Sequence, residues 1–591
     1  MDIKDRFKML TDELANSKRR LDFDGFLARI GRHDLSGKLT ANTPWVYFSQ
    51  EVYREKDLGL KGDGGLGVLA GDISKIAEDL AMPLTVVTPF YSGKSRQALF
   101  NYWESDGYET LIPGEHGFEK VGKVKLKSLA YSEIPIAVYV KRRGSVNIIT
   151  LYEPNIGLLY YSESNSDHRL YQEVVSGFAG YQALISAGIE PAIIHMNEAA
   201  TVFGAVARLD DICSHGVGFD DALSAVRDTA IYTNHTLLPA AEGVFDIKQF
   251  EQLVFTNLKN DAVIDWVKTK FGNDGKIRLS TLALEIAARR NGVSLLHSRL
   301  SSQNYRDRAG NSVEFSNVTN GVAGRWIDDG MLDLLTDKSA IDEYGLPTDD
   351  FASRLNNISI DELRDIKAAG RQKMNQILKY RQDQRGNPIH IPEDAILFDY
   401  KRRLVSYKRF DMIFKDLNRL ADILSRNNAH LLFTGRPHIG DSNMIKELHD
   451  ILVAIDSNPT LKERVHYIQN YDEEVAEALI LGGNCAVNIP IVGQEACGTS
   501  WMKDIAACKI LVSTTDGGVA DVTPPVYLEV NGVTYEQEAE SLYSRMQQAC
   551  EIIKDDISYR EQTIHQIQAY LPIISGSRMI RDYLNLGFDN N

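Results

Sequence analysis

The chain has 591 residues, with 81 Asp plus Glu against 65 Lys plus Arg, so its formal net charge is -16. Hydrophobic residues at 43% and charged residues at 25% allow a large core and exclude a disordered chain. The acidic balance argues against a surface built for nucleic-acid phosphates or anionic lipid, so any anionic ligand must be held locally. Five cysteines (Cys213, Cys485, Cys497, Cys508, Cys550) include no CxxC pair and suit reduced thiols in a cytoplasmic protein without a zinc site. The N-terminal MDIKDRFKML is charged where a signal peptide is apolar, and no apolar run approaches the ~20 residues of a membrane span.

In chain order, the first thirty or so residues predict one polar amphipathic helix. From Trp45, short β-rich runs (WVYFS, PLTVVTPFY, PIAVYV, VNIITLY, PAIIHM, TAIYTNHT) alternate with helical patterns such as DISKIAEDLA. Such alternation predicts a mostly parallel, doubly wound α/β sheet. Residues 384–392 are polar and contain Gly386, Pro388 and Pro392, so a domain boundary is expected there, dividing the chain into 1–390 and 391–591. A second βα succession follows (AILFDYKRRLV, HLLFTGRPH, RVHYIQNY, CAVNIPIV, KILVSTTD), and the C-terminal stretch reads as helical.

Three segments could carry chemistry. Gly62, Gly64, Gly65 and Gly67 form a glycine-rich turn ahead of a helical run, where backbone N–H groups approach an anion closely. A dinucleotide fingerprint needs a hydrophobic strand just before it, and EKDLGLK is not one. Phosphate or sugar contact, or simple packing of a helix on a sheet, are the readings left. Residues 401–409 hold five cations (Lys401, Arg402, Arg403, Lys408, Arg409) at the end of a strand, either a solvated face or a phosphate site. In EACGTSWMK, residues 495–503, Gly498, Thr499 and Ser500 form a strand-to-helix turn with a hydroxyl N-cap. Lys503 then stands among Trp501, Met502 and Ile505, either snorkelling to solvent or forming a Schiff base with an aldehyde cofactor. His235, Asn320 and Glu198, each after a strand-like run, are weaker signals. No HExxH, GxxxxGK[ST] or GxSxG occurs, which removes zinc-peptidase, P-loop and α/β-hydrolase readings.

Taken in order, these motifs resemble those of the α-glucan (glycogen, starch and maltodextrin) phosphorylases, particularly the short bacterial and archaeal forms. GGLGVLAGD at 64–72, RLYQE at 169–173, TNHTLLPAAEGVF, VTNGV, RRLVSYKR, NYD at 470–472 and EACGTSWMK carry the likeness. The resemblance implies a GT-B fold, two Rossmann-like domains facing across a cleft, with the glycine-rich loop and acceptor side in the first. It implies a glycosyltransferase that carries pyridoxal 5'-phosphate on Lys503 and uses the cofactor's phosphate in reversible phosphorolysis of α-1,4-glucan to glucose 1-phosphate, with retention. Arg403 and Lys408 would then hold substrate phosphate, helped by backbone N–H groups of Gly64 and Gly65. Arg402, Thr499, Ser500 and Lys503 would bind the cofactor. His235 (through its main chain), Glu495, Leu66, Asn320, Cys497 and Gly498 would serve the glucosyl ring. Inorganic phosphate, an α-glucan or other glucoside and a second copy in a homodimer are the implied partners.

Departures cluster on the acceptor side. Asn197, Glu198, Ala199 and Ala200 stand where the family has N-D-T-H or N-E-G-H, so its histidine is missing. Pro490-Ile491-Val492-Gly493 replaces Pro-Arg-Arg-Pro, Cys497 replaces a serine, and Trp501 replaces a small or polar residue. A transferase or phosphorylase with a non-glucan acceptor, and an inactive glucan-binding relative, remain as alternatives.

Overall fold

Runs of β-branched and aromatic residues are the ones that bury on both faces of a parallel sheet. Trp45–Ser49, Leu84–Pro89 and Ile193–Asn197 are buried at every position, and they form adjacent parallel strands at the centre of a nine-stranded sheet. A computed structural model describes residues 2–12, 21–54, 58–60, 65–98, 101–159, 166–236, 242–272, 274–307, 310–437 and 441–589, without side chains at 94–98 and 101–110. Within these residues the chain forms two compact units. One comprises Met1–Lys94, Glu109–Val318 and Met579–Asn591, and the other Ser95–Tyr108 and Thr319–Arg578.

The nine-stranded sheet of the first unit runs in the order Ser316–Asn317, Arg289–Gly292, Ala230–Thr233, Ile193–Asn197, Trp45–Ser49, Leu84–Pro89, Val146–Tyr152, Ile134–Arg143, Glu119–Leu126. The last two pairings are antiparallel, and the sheet is otherwise parallel, in keeping with the mostly parallel pattern that the sequence suggests. Glu119–Leu126 escapes a sequence reading because Lys120, Lys123 and Lys125 fill its exposed face, as edge strands commonly show, and a register shift between Lys120 and Gly122 interrupts the alternation. The N-terminal residues form two short helices, Ile3–Lys8 and Phe23–Arg29, rather than one helix among those described. The C-terminal end of the chain returns to this unit, where Tyr583 packs 4.8 Å from the His195 ring and Phe588 lies 6.1 Å from Trp45.

The second unit holds an all-parallel six-stranded sheet ordered Val465–Ile468, Ala429–Thr434, Ile396–Lys401, Cys485–Asn488, Ile510–Ser513, Leu528–Glu529. Chain order reverses between Ile396–Lys401 and Cys485–Asn488, and in open parallel sheets ligands bind beyond the carboxyl ends of strands at such a point. The loops leaving those two strands carry residues 402–409 and 489–499. The helices between strands open on side-chain caps, with Asp416, Asp441 and Asp472 each accepting a backbone N–H of the first turn.

The expected boundary at residue 390 falls inside Thr319–Arg578, the longer segment of this second unit. Helix Ile360–Leu378 is the reason. Its Arg371 donates to the carbonyl of Gly482 at 2.9 Å and to that of Pro392 at 2.7 Å, and Lys367 donates to the carbonyls of Leu481 and Ala507. The polar segment after it is a turn that buries Ile389 and Ile391 in the same core as Met374 and Leu397. Among the described residues, no helix is long and apolar enough to cross a membrane.

Candidate active site

Strand Ile396–Lys401 delivers Arg402 to the sheet's carboxyl edge, and a short turn, Ser406–Lys408, brings Lys408 back beside it. The Tyr400 hydroxyl donates to the Lys408 carbonyl at 3.1 Å and pins that turn. Both cations converge on one anion. Arg402 Nη1 donates to Glu495 Oε2 at 3.1 Å, and Lys408 Nζ lies 3.1 Å from each Glu495 oxygen. These side chains are only 4 to 12% exposed, so their charges act in a poorly screened setting. Burial pushes the Glu495 carboxyl up, but Lys408 and Arg402 together prevail and hold it down to about 2. Burial and then the Arg402 charge lower the Lys408 amine to about 8, against the pull of Glu495.

Glu495 stands on a loop held by another carboxylate. Asp516 accepts the backbone N–H groups of Gly493 at 2.9 Å, Glu495 at 2.8 Å and Gly517 at 2.8 Å. Gly517 has φ +55° and Gly493 φ +87°, left-handed conformations that favour glycine. Gly498 is needed for space, since a Cβ there would lie 2.7 Å from both Arg402 Nη2 and Glu495 Oε1. Cys497 is buried, and burial pushes its thiol up, so it acts as a small neutral group and not a nucleophile. Its carbonyl accepts from Asn320 Nδ2 at 3.1 Å, while Asn320 Oδ1 is buried with no hydrogen-bond partner. Arg578 holds this turn by donating to the carbonyls of Thr319 at 2.7 Å and Asn320 at 3.0 Å.

Lys503 is buried on helix Ser500–Ala506 with Trp501, Met502 and Ile505, so it does not snorkel to solvent. Its Nζ lies 3.6 Å from the centre of the Trp326 ring. The helix is so short that Lys503 falls in its last turn, where a cation suits the helix dipole. Thr499 occupies the N-cap position, but no side-chain cap bond forms there, so the expected hydroxyl cap is absent.

The basic cluster does not act as one patch. Lys401 and Arg409 are buried in other ion pairs, with Asp399 and Asp504 and with Glu538 respectively, while Arg403 is exposed and hydrogen-bonded to Tyr407. Of the five cations, Arg402 and Lys408 meet at Glu495. Sequence reasoning missed Trp326 and Asp516; the signals were an aromatic six residues beyond Asn320 and an acidic residue opening a Gly-Gly turn.

In the first unit, Gly65 and Leu66 begin helix Gly65–Asp79 rather than preceding it, Gly65 exposed and Leu66 half-buried. Gly64 lies outside the described residues. His235 follows strand Ala230–Thr233; its backbone N–H donates to Glu198 Oε1 at 2.7 Å, and its Nε2 is 2.6 Å from Asn197 Oδ1. Burial and then His297 lower the imidazole to about 3, so His235 is neutral. Glu198 has φ +79°, unusual for a non-glycine residue, and burial pushes its carboxyl up to about 7.

Comparison with known proteins agrees with these motifs. The family of carbohydrate phosphorylases matches residues 171–573. A maltodextrin phosphorylase of Thermococcus litoralis is 25% identical, covering 92% of this chain and 70% of its own length. A glycogen phosphorylase of Mycobacterium tuberculosis is 27% identical (88% and 68% covered), and one of Aquifex aeolicus is 25% identical (92% and 86%). The matched region includes the Glu495 cluster, Asn320 and Lys503, and the chain belongs to the carbohydrate phosphorylase family, whose members are glycosyltransferases.

Proposed function

We propose that the protein is a pyridoxal 5'-phosphate-dependent glycoside phosphorylase that splits an α-1,4-glucan or related α-glucoside with inorganic phosphate, releasing glucose 1-phosphate with retention. The observation that carries this reading is the pair of largely buried cations, Arg402 and Lys408, which share a single carboxylate at 3.1 Å and so are not fully neutralised by it. Buried cations on a strand's carboxyl edge are what a phosphate group requires.

The residues present fit the cofactor. A buried primary amine on an aromatic face, with Thr499, Ser500 and Arg402 as donors, suits an aromatic aldehyde bearing a phosphate. Gly498 lets Arg402 and Glu495 pack against the backbone here, since a Cβ would lie 2.7 Å from each. Lys503 would hold the cofactor, and Arg402, Thr499 and Ser500 its phosphate. The chemistry the bound group supplies is proton exchange at its phosphate.

Lys408 and Arg403 would bind substrate phosphate, which competes with Glu495 for Lys408 and frees the carboxylate to accept sugar hydroxyls. Asn320 Oδ1, a buried acceptor without a partner, suits one such hydroxyl. Cys497 and Gly498 would serve the sugar ring, a role that the resemblance gives also to Leu66 and the main chain of His235, and a sheet built mainly of parallel strands in each unit suits a GT-B fold. A different glucoside in the acceptor position is favoured by one observation, the alanines at 199 and 200.

The test is the absorption spectrum of the purified protein, with phosphate-dependent release of glucose 1-phosphate from maltodextrin and a panel of α-glucosides. Protein without pyridoxal phosphate, or turnover of nucleotide sugars without phosphate, overturns the reading.

A further inference from the structure

Four charged side chains of the second unit are buried together, and two of them, Lys401 and Asp504, are next in sequence to the expected cofactor ligands Arg402 and Lys503. Asp399 and Lys401 stand on strand Ile396–Lys401, Asp504 on helix Ser500–Ala506, and Lys509 just before strand Ile510–Ser513. Lys401 Nζ donates to Asp399 Oδ1 at 2.8 Å and to Asp504 Oδ1. Lys509 Nζ donates to Asp399 Oδ2 at 2.6 Å and lies 2.8 Å from Asp504 Oδ1. The contacts close a ring of alternating sign in which no side chain is more than 4% exposed. Gly483 packs directly on it, since a Cβ there would lie 2.1 Å from Asp399 Oδ2 and 2.8 Å from Lys509 Nζ.

Burial opposes charge throughout the ring. Facing charges nevertheless hold the Asp504 carboxyl down and raise the Lys401 amine, while burial prevails at Lys509 and lowers it. Taking four charges out of water costs several kcal/mol each, and replacing such sets by apolar residues is often neutral or stabilising. Stability therefore does not explain the ring. What it does set is geometry: Lys401 precedes Arg402 and Asp504 follows Lys503, so directional contacts tie a strand end to a helix that apolar packing would let slide.

We infer that Asp399, Lys401, Asp504 and Lys509 are positioning residues, which fix Arg402 and Lys503 relative to one another and so set the shape of the phosphate and cofactor site. This rests on the cofactor reading above. None of the four is assigned to the reacting groups: Lys401 and Asp504 act through their sequence neighbours, and Asp399 and Lys509 act by holding Lys401 and Asp504.

The experiment uses the purified holoenzyme and two variants. Asp504→Asn opens one corner of the ring. The fourfold change Asp399→Leu, Lys401→Met, Asp504→Leu and Lys509→Met removes all charge while keeping bulk. For the fourfold variant we expect thermal stability equal to or above wild type, with pyridoxal phosphate lost on dialysis about tenfold faster and inorganic phosphate bound about tenfold more weakly by calorimetry. Asp504→Asn should show the same two losses together with a lower Tm. Wild-type cofactor release and phosphate affinity in either folded variant overturns the proposal. Wild-type protein without pyridoxal phosphate overturns the cofactor reading instead, and the phosphate titration of the same variants still decides the ring.

Discussion

The amine of Lys503 sits 3.6 Å from the centre of the Trp326 ring, and the Arg325 guanidinium lies 4.5 Å from the same ring. Arg325 is held in turn by Glu473 at 2.5 Å, so the indole is anchored from its neighbour and presents a fixed face to the lysine. A cation on an indole face away from water is worth about 1 to 2 kcal/mol, or roughly five- to thirtyfold in an equilibrium. Trp326→Leu should release pyridoxal phosphate roughly tenfold faster than wild type, and Trp326→Phe should fall between. Absorption of the dialysed protein reads this directly, and equal retention in all three proteins would exclude the ring as a cofactor contact.

Replacing Glu495 by Gln leaves Arg402 and Lys408 buried without their anion. Breaking a buried pair from one side costs about 3 kcal/mol or more, so Tm should fall by several degrees. Added inorganic phosphate should restore more of the loss in Glu495→Gln than it adds to wild type, because it no longer competes with a carboxylate. A thermal-shift titration that finds equal stabilisation of both proteins would remove phosphate from this pair of cations.

Lys408 supplies a pH dependence. Its amine, lowered to about 8, is protonated below that value and attracts an anion; above it the charge is lost. The KM for phosphate should therefore rise with pH, by roughly tenfold for each unit above 8. In Lys408→Arg the rise should vanish, since a guanidinium stays protonated throughout this range. A flat profile in wild type would show that the amine does not titrate where phosphate binds.

Trp501 is a large side chain where the resembled motif has a small one, and Gly518 makes the room. A Cβ at 518 would lie 2.7 Å from Cys497 Sγ and 3.2 Å from Trp501 Cζ2, both in buried side chains. Gly518→Ala should cost about 1 to 3 kcal/mol by overpacking. Since sulfur is the nearer obstacle, Cys497→Ala combined with Gly518→Ala should recover much of that loss, a non-additivity that thermal unfolding of the single and double variants measures.

Much of this protein was legible in its sequence because the relevant signals are local. Eleven β-rich runs from WVYFS to KILVSTTD all become strands, for continuous burial on both faces selects β-branched and aromatic residues at each position. The family is legible for a related reason: its glycines, cations and hydroxyls stand in short local motifs, and a maltodextrin phosphorylase matches 92% of this chain at only 25% identity. Acidic residues at helix starts, such as Asp416 and Asp472, announce themselves in the same way.

Only tertiary structure decided what each cation in residues 401–409 does. Five charges look alike in sequence, yet side chains at a strand end alternate in direction and meet partners far along the chain. Lys401 finds Asp504, Arg402 and Lys408 find Glu495, and Arg409 finds Glu538. The boundary near residue 319 was hidden for the same reason, since helix Ile360–Leu378 belongs to the second unit through Arg371 and Lys367, which hydrogen-bond carbonyls over a hundred residues away. Local pattern determines which segments are strands and helices; the sign, burial and partner of each charge depend on neighbours that folding alone brings together.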